Sequence, residues 1–275
     1  MILHKLPPFQ NVGVAQTAVM PFMLTGMTVV GIIFKRGGGA FLSSDFENLR
    51  IRYDGKQFVD VTGTHLDSID AYEKLGSLAN YMVLMFGDLQ AKTQQGQLIG
   101  AIDTSVPNVK PMAMEVEIAA TAIAPTLEAW AILAPPKDIN DPNKFTIRAY
   151  LKSINSIQAA GEFSLQIPLG SSRGALLHRL YNFHTNITKL QVTKDGLWLL
   201  QEGEAALLNY VYALTNRATQ AGLIMYDPTS NDSQSDAIAT LRPEGTPADF
   251  QFKFTASAAD IVTSYVSLYT TIDRV

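Results

Sequence analysis

The sequence contains no cysteine among its 275 residues. Disulfide bonds, thiolate metal sites and cysteine nucleophiles are therefore excluded. The chain is also poor in charge, because only 17% of its residues are charged while 47% are hydrophobic. An average soluble domain has about a quarter of its residues charged, and surface with fewer charges is often covered by partners. We therefore expect interaction surfaces, and stability that comes from packing and oligomerisation.

The sequence has no excess of positive charge either. Its formal net charge is −4, and no run of lysine or arginine interrupts it. A nucleic-acid-binding protein needs a basic patch that neutralises phosphates. We therefore predict no direct contact with nucleic acid.

Charged residues are absent between Leu6 and Phe34, a stretch long enough to span a membrane. Pro21 near its middle and Gly26 shortly after it disfavour a helix there. We expect two buried strands instead, TAVMPFML and TVVGIIF, on either side of Thr25 and Gly26. A signal peptide, with Lys5 as its basic residue, is the alternative.

Catalytic motifs are missing as well. The sequence has no P-loop, no GxSxG motif and no zinc-protease spacing of its histidines. Glu115 and Glu117 share one face of a strand about 7 Å apart, which is near the spacing of a glycosidase acid/base pair. An outward acidic row on a half-buried strand is far commoner than such a pair, so we predict that the protein is not an enzyme.

Metal ligands are sparse, and no cofactor is predicted beyond a possible calcium ion. His178 and His184 would lie about 20 Å apart along one strand, too far to share an ion. The loop YDPTSNDSQSD contains Asp227, Asp232 and Asp236 among serine and asparagine, and Ca²⁺ prefers such oxygen ligands. The loop lacks the glycine and the closing glutamate of an EF-hand, so a plain hydrophilic loop is the alternative.

The pattern that is present predicts strands. MEVEIA at 114–119 and FQFKF at 250–254 alternate apolar and polar residues with the period of two that places one face of a strand in a core. Short apolar runs between turn residues recur along the chain. Many short strands at close spacing indicate an all-β sandwich or jelly roll.

One arrangement of strands occurs twice. IRYDGKQFVDV at 51–61 and LQVTKDGLWLL at 190–200 both place an Asp-Gly turn between two strands, and the turns lie 141 positions apart. An Asp-Gly pair flanked by alternating hydrophobic residues is a strong hairpin signal. The recurrence predicts two copies of one domain.

A predicted helix follows each hairpin. In THLDSIDAYEKLG at 64–76, Leu66, Ile69 and Tyr72 have helical spacing, and we expect Thr64 as the N-cap and Gly76 as the end. In the second helix, at 202–216, one apolar stripe is predicted from four residues. These are Leu207, Tyr210, Val211 and Leu214.

These features divide the chain into four segments. We predict an N-terminal arm at 1–11, a first jelly roll at 12–135, a linker at 136–144 that is rich in proline, aspartate and asparagine, and a second jelly roll at 145–275. Each jelly roll is expected to be an eight-stranded β-sandwich with a short helix after its Asp-Gly hairpin. Pro7 and Pro8 favour an extended arm, to which Ile2, Leu3 and Leu6 give apolar contacts.

Three stretches resemble a known family. NLRIRYDGKQF with VTGTHLDSIDAYEKLGS, FTIRAYLKSIN, and RLYNFHTNITKLQVTKDGLWL are similar to the double jelly-roll major capsid proteins of tailless, membrane-containing icosahedral bacteriophages of the corticovirus type. The resemblance covers most of the chain in outline. RGGGAF and NDSQSD have no counterpart in it.

The resemblance implies a structural viral protein of the virion capsid, assembled in the host cytoplasm. It implies a homotrimer of pseudo-hexagonal outline that tiles an icosahedral shell over an internal membrane, since three copies of two similar barrels supply six similar lobes. Neighbouring trimers, a penton or spike protein, and the membrane or its proteins would be partners. Ile2, Leu3 and Leu6 are then expected to contact groups outside their own subunit.

Two other functions stay open. One is a carbohydrate-binding β-sandwich module of a spike or adhesin, and the other is the glycoside hydrolase that would use Glu115 and Glu117. Sugar sites use exposed aromatic side chains, whereas Trp130 and Trp198 both lie in apolar strand patterns that predict core positions. The sequence therefore favours the capsid protein.

Overall fold

The structure is a computed structural model that describes residues 1–22, 24, 26–76, 78–105, 111–170 and 174–275. Contacts divide the chain into two compact units. The first comprises Met1–Ala149 with Thr270–Asp273 and Val275, and the second comprises Tyr150–Tyr269 with Arg274. The finer division into arm, linker and two domains stays a prediction.

The first unit is built from short strands and two helices. Its strands are β1 (Ile2–Lys5), β2 (Thr17–Phe22), β3 (Thr28–Gly37), β4 (Phe46–Tyr53), β5 (Lys56–Val61), β6 (Tyr81–Met85), β7 (Ile102–Asp103), β8 (Met112–Ile118) and β9 (Thr126–Ala134), and its helices are α1 (Gly63–Tyr72) and α2 (Gln94–Leu98). Strand β10 (Thr146–Ile157) begins in this unit and ends in the second.

Two antiparallel sets of strands form the first unit. One has the order β1-β9-β3-β6 with β7 beside β3, and the other has the order β5-β4-β8-β2. The strands predicted around Gly26 are β2 and β3, which confirms that expectation, while Thr25 lies outside the described residues. Pro21 is tolerated because β2 is an edge strand of its sheet, where the lack of a backbone N–H is least unfavourable. In the described part of the chain, no helix is long and apolar enough to cross a membrane.

The core of the first unit lies between its two sets of strands. In β8, alternate residues such as Met114 and Val116 are buried, as the alternating sequence predicts. The ring of Phe34 on β3 lies 6.4 Å from that of Phe46 on β4, in an edge-to-face arrangement. The inner faces of the two sheets therefore share one aromatic core.

The second unit repeats this construction. Its strands are β11 (Gly161–Leu165), β12 (Leu176–Phe183), β13 (Ile187–Lys194), β14 (Leu197–Glu204), β15 (Leu223–Tyr226), β16 (Ile238–Ala239), β17 (Phe250–Ala256) and β18 (Asp260–Thr271), and its helix is α3 (Ala205–Leu214). One sheet has the order β11-β17-β13-β14, and the other contains the run β15-β12-β18 with β16 beside β12. Phe252 and Phe254 of β17 are buried, as their alternation predicts.

Both Asp-Gly turns connect paired strands, which confirms the predicted hairpins. Asp54 and Gly55 have φ angles of 53° and 77°, and Asp195 and Gly196 have φ angles of 50° and 77°. Two successive residues in the left-handed region make the type I′ turn, whose twist matches that of the flanking strands. Glycine takes the second position because it has no Cβ to clash there.

Helix α1 begins and ends earlier than the sequence predicts. The Thr62 hydroxyl caps it by accepting a bond from the His65 amide at 3.4 Å, so the expectation that Thr64 is the N-cap is wrong. The helix ends at Tyr72, and Lys74 adopts a left-handed φ of 51° before the chain reaches Gly76. The local spacing fits either threonine, but only Thr62 has the extended backbone that an N-cap needs.

Each unit buries an arginine on a strand beside a carboxylate. In the first unit, Arg148 contacts Glu73 at 2.5 Å, and in the second unit, Arg179 contacts Asp227 at 3.0 Å. Both arginines are fully buried. A buried guanidinium is strongly unfavourable without such a partner, so each pair fixes the segments that carry its members.

Candidate functional site

Helix α3 exposes the apolar stripe that the sequence predicts. Leu207, Tyr210 and Leu214 are 54%, 64% and 70% exposed, whereas Leu208 and Tyr212 are buried. The predicted stripe therefore faces solvent. The helix AALLNYVYAL has no charged residue, so no charged face distinguishes the side that packs inward from the side that faces outward.

The first unit contains an apolar groove of about 950 Å³. Leu75 and Leu78 line it on one side, and Leu3, Ile33 and Trp130 line it on the other. Leu3 and Leu78 are largely exposed. Exposed apolar surface of this kind is typical of an interaction site.

Two buried polar side chains also line this groove. The Arg36 Nη2 donates to the Ala79 carbonyl at 3.1 Å, while its buried Nε has no hydrogen-bond partner among the described residues. Burial is the largest influence on this guanidinium and lowers its pKa, against the opposing charges of Asp67 and Asp45. Asp70 accepts a bond from the Val83 amide at 3.1 Å, and burial raises its pKa well above the usual range. Arg36 and Asp70 are therefore buried, whereas Leu3 and Leu78 at the same groove are exposed to solvent.

The N-terminal residues lie along the edge of the first sheet. Strand β1 pairs with β9, and Lys5 contacts Glu128 at 2.6 Å, which lowers the pKa of that exposed carboxyl. Ile2 and Leu3 are mostly exposed, so the expectation that they contact another subunit stays a prediction. Leu6 is different, because it is buried within its own chain and its amide donates to the Ala129 carbonyl at 2.9 Å.

The three carboxylates considered for calcium are committed to other groups. Asp227 is buried and lies 3.0 Å from Arg179 and 3.7 Å from Arg217. Asp232 contacts Arg217 at 2.7 Å, and Asp236 accepts a bond from an asparagine side chain. Within the described ranges, no group of three such side chains is arranged to hold a metal ion. Arginine supplies the positive charge that a cation would have brought, so nothing here supports calcium.

Glu115 and Glu117 lie on the outer face of β8, where arginines neutralise them. Arg52 contacts Glu115 at 2.8 Å, and Arg50 contacts Glu117 at 2.5 Å. Asn48 also donates to Glu117 at 2.7 Å. A general acid needs surroundings that keep it protonated, and these carboxylates instead form an ion-pair ladder across the sheet.

The two histidines of the second unit serve the fold separately. His178 is fully buried on β12, with its Nδ1 3.0 Å from the Ser267 hydroxyl. His184 Nδ1 accepts a bond from the Ile187 amide at 3.1 Å and so closes the turn before β13. The interpretation that they are separate, packed histidines agrees with these contacts.

The tryptophans differ from the sequence prediction in one case. Trp130 is partly buried at the groove of the first unit. Trp198 is 51% exposed, so its predicted core position is wrong. The residue lies on β14, which ends the sheet order β11-β17-β13-β14, and points to the outer face together with Thr193 of β13. An apolar strand pattern does not show that one of its faces lacks a covering layer.

Comparisons with known proteins cover nearly the whole chain. A family model described as the viral coat protein P2 N-terminal domain matches residues 3–134, and one described as the viral coat protein P2 C-terminal domain matches residues 147–272. No curated protein sequence matches the chain.

Solved structures share the fold at low sequence identity. The major capsid protein P2 from bacteriophage PM2 is similar with a TM-score of 0.81 at 14% identity, over 98% of both chains. The major capsid protein of Sulfolobus Turreted Icosahedral Virus has a TM-score of 0.70 at 10% identity, over 98% of this chain and 96% of that one. VP54 of PBCV-1 has a TM-score of 0.60 at 10% identity, over 97% and 92%. The predicted fold class, two tandem jelly rolls, is thereby confirmed.

Proposed function

Because the chain belongs to the viral coat protein P2 family, a family of structural proteins and not of enzymes, we propose that it builds a virion shell as a homotrimer. Its role as a major capsid protein follows from the family and the fold. The trimer rests on one observation, which is that a single chain contains two units of the same construction. Three copies supply six similar lobes, so a threefold particle can fill a lattice position with six neighbours.

The exposed stripe of α3 is the subunit contact that we propose. Leu207, Tyr210 and Leu214 present apolar surface that a stable monomer would normally bury. Glu202 and Glu204 precede the helix, and the basic residue that follows it, Arg217, is buried against Asp227 and Asp232. A helix that binds an anionic membrane surface carries basic residues, so a protein surface is the better partner.

The groove of the first unit is the second contact surface in this proposal. Leu3 and Leu78 are exposed at it, beside the buried Arg36 and Asp70. A neighbouring copy that covers the groove would bury these two leucines. Ile2 and Leu3 would then contact that copy, whereas Leu6 already packs within its own chain.

The remaining partners follow from the same proposal. We place an arm at 1–11, jelly rolls at 12–135 and 145–275, and a linker at 136–144. Trimers assembled in the host cytoplasm would meet neighbouring trimers, a penton or spike protein, and an internal membrane or its proteins. The net charge of −4 supports no direct contact with nucleic acid.

Light scattering of the purified protein at micromolar concentration tests the trimer. We expect three times the chain mass of 30.0 kDa. Leu207→Glu with Leu214→Glu places two charges on the stripe and should weaken self-association by at least about 100-fold, because burying one apolar side chain contributes about 1.5–3 kcal/mol.

Thr64→Glu is the matched control, because it adds a charge to an exposed position of α1 in the first unit. It should leave the trimer intact. A wild-type mass of one chain would contradict the trimer, and a double variant that stays trimeric would show that α3 is not the contact.

A further inference from the structure

The outer face of the second Asp-Gly hairpin forms a small pocket. Trp198 of β14 pairs across the ladder with Thr193 of β13, and Thr193 pairs with Gln251 of β17. In the next row, Gln191 pairs with Lys253. With Gly196 and Asp249, these residues enclose about 240 Å³. The volume is below the range of about 300–1,000 Å³ that drug-sized ligands occupy, and it suits one sugar ring.

The first hairpin provides an internal comparison, because the two strand pairs have the same register next to the turn. Arg52 pairs with Gln57, as Thr193 pairs with Trp198. The first hairpin therefore carries glutamine where the second carries an exposed tryptophan. Arg52 also forms an ion pair with Glu115, so this face is occupied by its own charges.

The third strand differs in the same way. Where the second unit has Asp249, Gln251 and Lys253, the first has Pro111, Ala113 and Glu115. The substitutions replace an ion-pair ladder by amides, a hydroxyl, one carboxylate and one ammonium around an indole. Because the first hairpin forms without this set and with the same register next to its turn, the set is not needed for the hairpin.

The pocket has a rigid base. The Asp195 carboxylate of the turn accepts bonds from the Asp249 amide at 2.9 Å and from Arg242 Nε at 2.7 Å. The bond from the Asp249 amide, followed by the contact with Arg242, lowers the pKa of Asp195. Gln251 Nε2 donates to Asp249 Oδ2 at 3.3 Å, which holds these two side chains together. A ligand would therefore meet a preformed arrangement, and little conformational entropy would be lost on binding.

We propose that this face binds neutral saccharides. A pyranose ring has one apolar face of C–H groups, which the exposed ring of Trp198 can cover, and a rim of hydroxyls that both donate and accept hydrogen bonds. Gln191, Thr193 and Gln251 offer both functions. The charges of Asp249 and Lys253 offset each other, so the site has no net attraction for an acidic sugar.

Saturation-transfer NMR on the full-length trimer tests the proposal with glucose, galactose, mannose and N-acetylglucosamine as probes. We expect at least one of them to bind with a Kd on the order of millimolar, as is usual for a small ligand with few contacts. The same sugar should change the emission of Trp198. In the variant Trp198→Gln, which carries the residue of the first hairpin, binding should fall at least about 10-fold.

Gln251→Ala should also weaken binding, whereas Gln57→Ala in the first hairpin is the matched control and should not. The absence of binding by the wild type up to about 100 mM of every probe, or undiminished binding by Trp198→Gln, would overturn the proposal. If Trp198→Gln instead dissociates the trimer, this face is a subunit contact and not a sugar site. Light scattering on the same samples keeps the two results separate.

Discussion

Helices α1 and α3 follow equivalent hairpins, but they differ in which of their positions are buried. The fourth residue is a buried leucine in both, Leu66 and Leu208. The tenth residue is buried in α1, where it is Tyr72, and 70% exposed in α3, where it is Leu214. The outward face of α1 is polar, while that of α3 is apolar. The same local fold therefore gives a helix with a polar outer face in one unit. In the other unit, it gives a helix whose apolar outer face needs a partner.

The hairpins show the same division of roles. In both, the turn conformation and the strand register next to the turn are alike, because they depend on Asp-Gly and on the inward-facing residues. The outward residues have diverged, from the Arg52 and Glu115 pair to the exposed Trp198. In a duplicated capsid protein, this allows two copies of one fold to present different surfaces to their neighbours.

Removing the carboxylate of Asp227 should have the largest effect on stability. Asp227→Asn removes the buried negative charge that lies 3.0 Å from Arg179 and 3.7 Å from Arg217, while Arg217 keeps its contact with Asp232. Breaking a buried ion pair typically costs about 3–5 kcal/mol. Urea unfolding of the full chain measures the free energy of unfolding, and no metal ion is needed to see the effect.

Glu73→Gln is the corresponding change in the first unit, beside Arg148. We expect a smaller loss than for Asp227→Asn, because the Glu73 carboxylate contacts one buried arginine whereas that of Asp227 lies between two. Equal losses would mean that the two buried sites are energetically alike, and the comparison between the units would not extend to their cores.

Substitutions at the N-caps of α1 and α3 should change the free energy of unfolding by less than those at the buried ion pairs. Thr62→Ala removes the hydroxyl that accepts the His65 amide bond and should cost about 1 kcal/mol. Glu204, at the N-cap of α3, makes no side-chain cap bond, so Glu204→Ala should change the free energy of unfolding little. Chemical denaturation of both variants checks this, and a loss for Glu204→Ala as large as that for Thr62→Ala would contradict it.

Acidification should produce the smallest change in the free energy of unfolding. The change should come from His184 in the second unit. Burial lowers the pKa of His184, against the attraction of Asp260, and its neutral Nδ1 accepts the Ile187 amide bond. As the pH falls below about 6.5, the unfolded chain binds a proton before the folded chain does. The free energy of unfolding should therefore decrease until the lower, folded pKa is passed.

The variant His184→Asn retains an acceptor for the Ile187 amide but does not titrate. Its urea midpoint should change less than that of the wild type between pH 7.5 and pH 5.5, two values chosen on either side of the usual histidine pKa of about 6.5. Equal changes in both proteins would assign the acid sensitivity to other groups.

Much of the fold could be predicted because its signals are local. Alternation identified β8 and β17, and the Asp-Gly pairs located both hairpins. The positions of the helices followed from spacing, although the start of α1 did not, since Thr62 and Thr64 offer the same hydroxyl and only the backbone conformation distinguishes them.

The candidate surfaces could be predicted only in part. The exposed Ile2 and Leu3 were expected, but the groove beside them depends on side chains from distant strands. Lys137 is a similar case, because it lies in the predicted linker yet is buried and donates to three carbonyls. Burial lowers its pKa to about 8. No local sequence pattern predicts that a lysine in a linker is buried.

By itself, the sequence determined the period of the strands, the places of the turns and the duplication of the hairpin with its helix, because these depend on residues that are neighbours along the chain. Only the tertiary structure decided which apolar residues face outward. Helix α3 is apolar on every side, and β14 lies at the end of its sheet order, so burial of Leu214 and Trp198 depends on whether another layer covers them. That layer is a property of the packed chain and its partners, and not of any stretch of sequence.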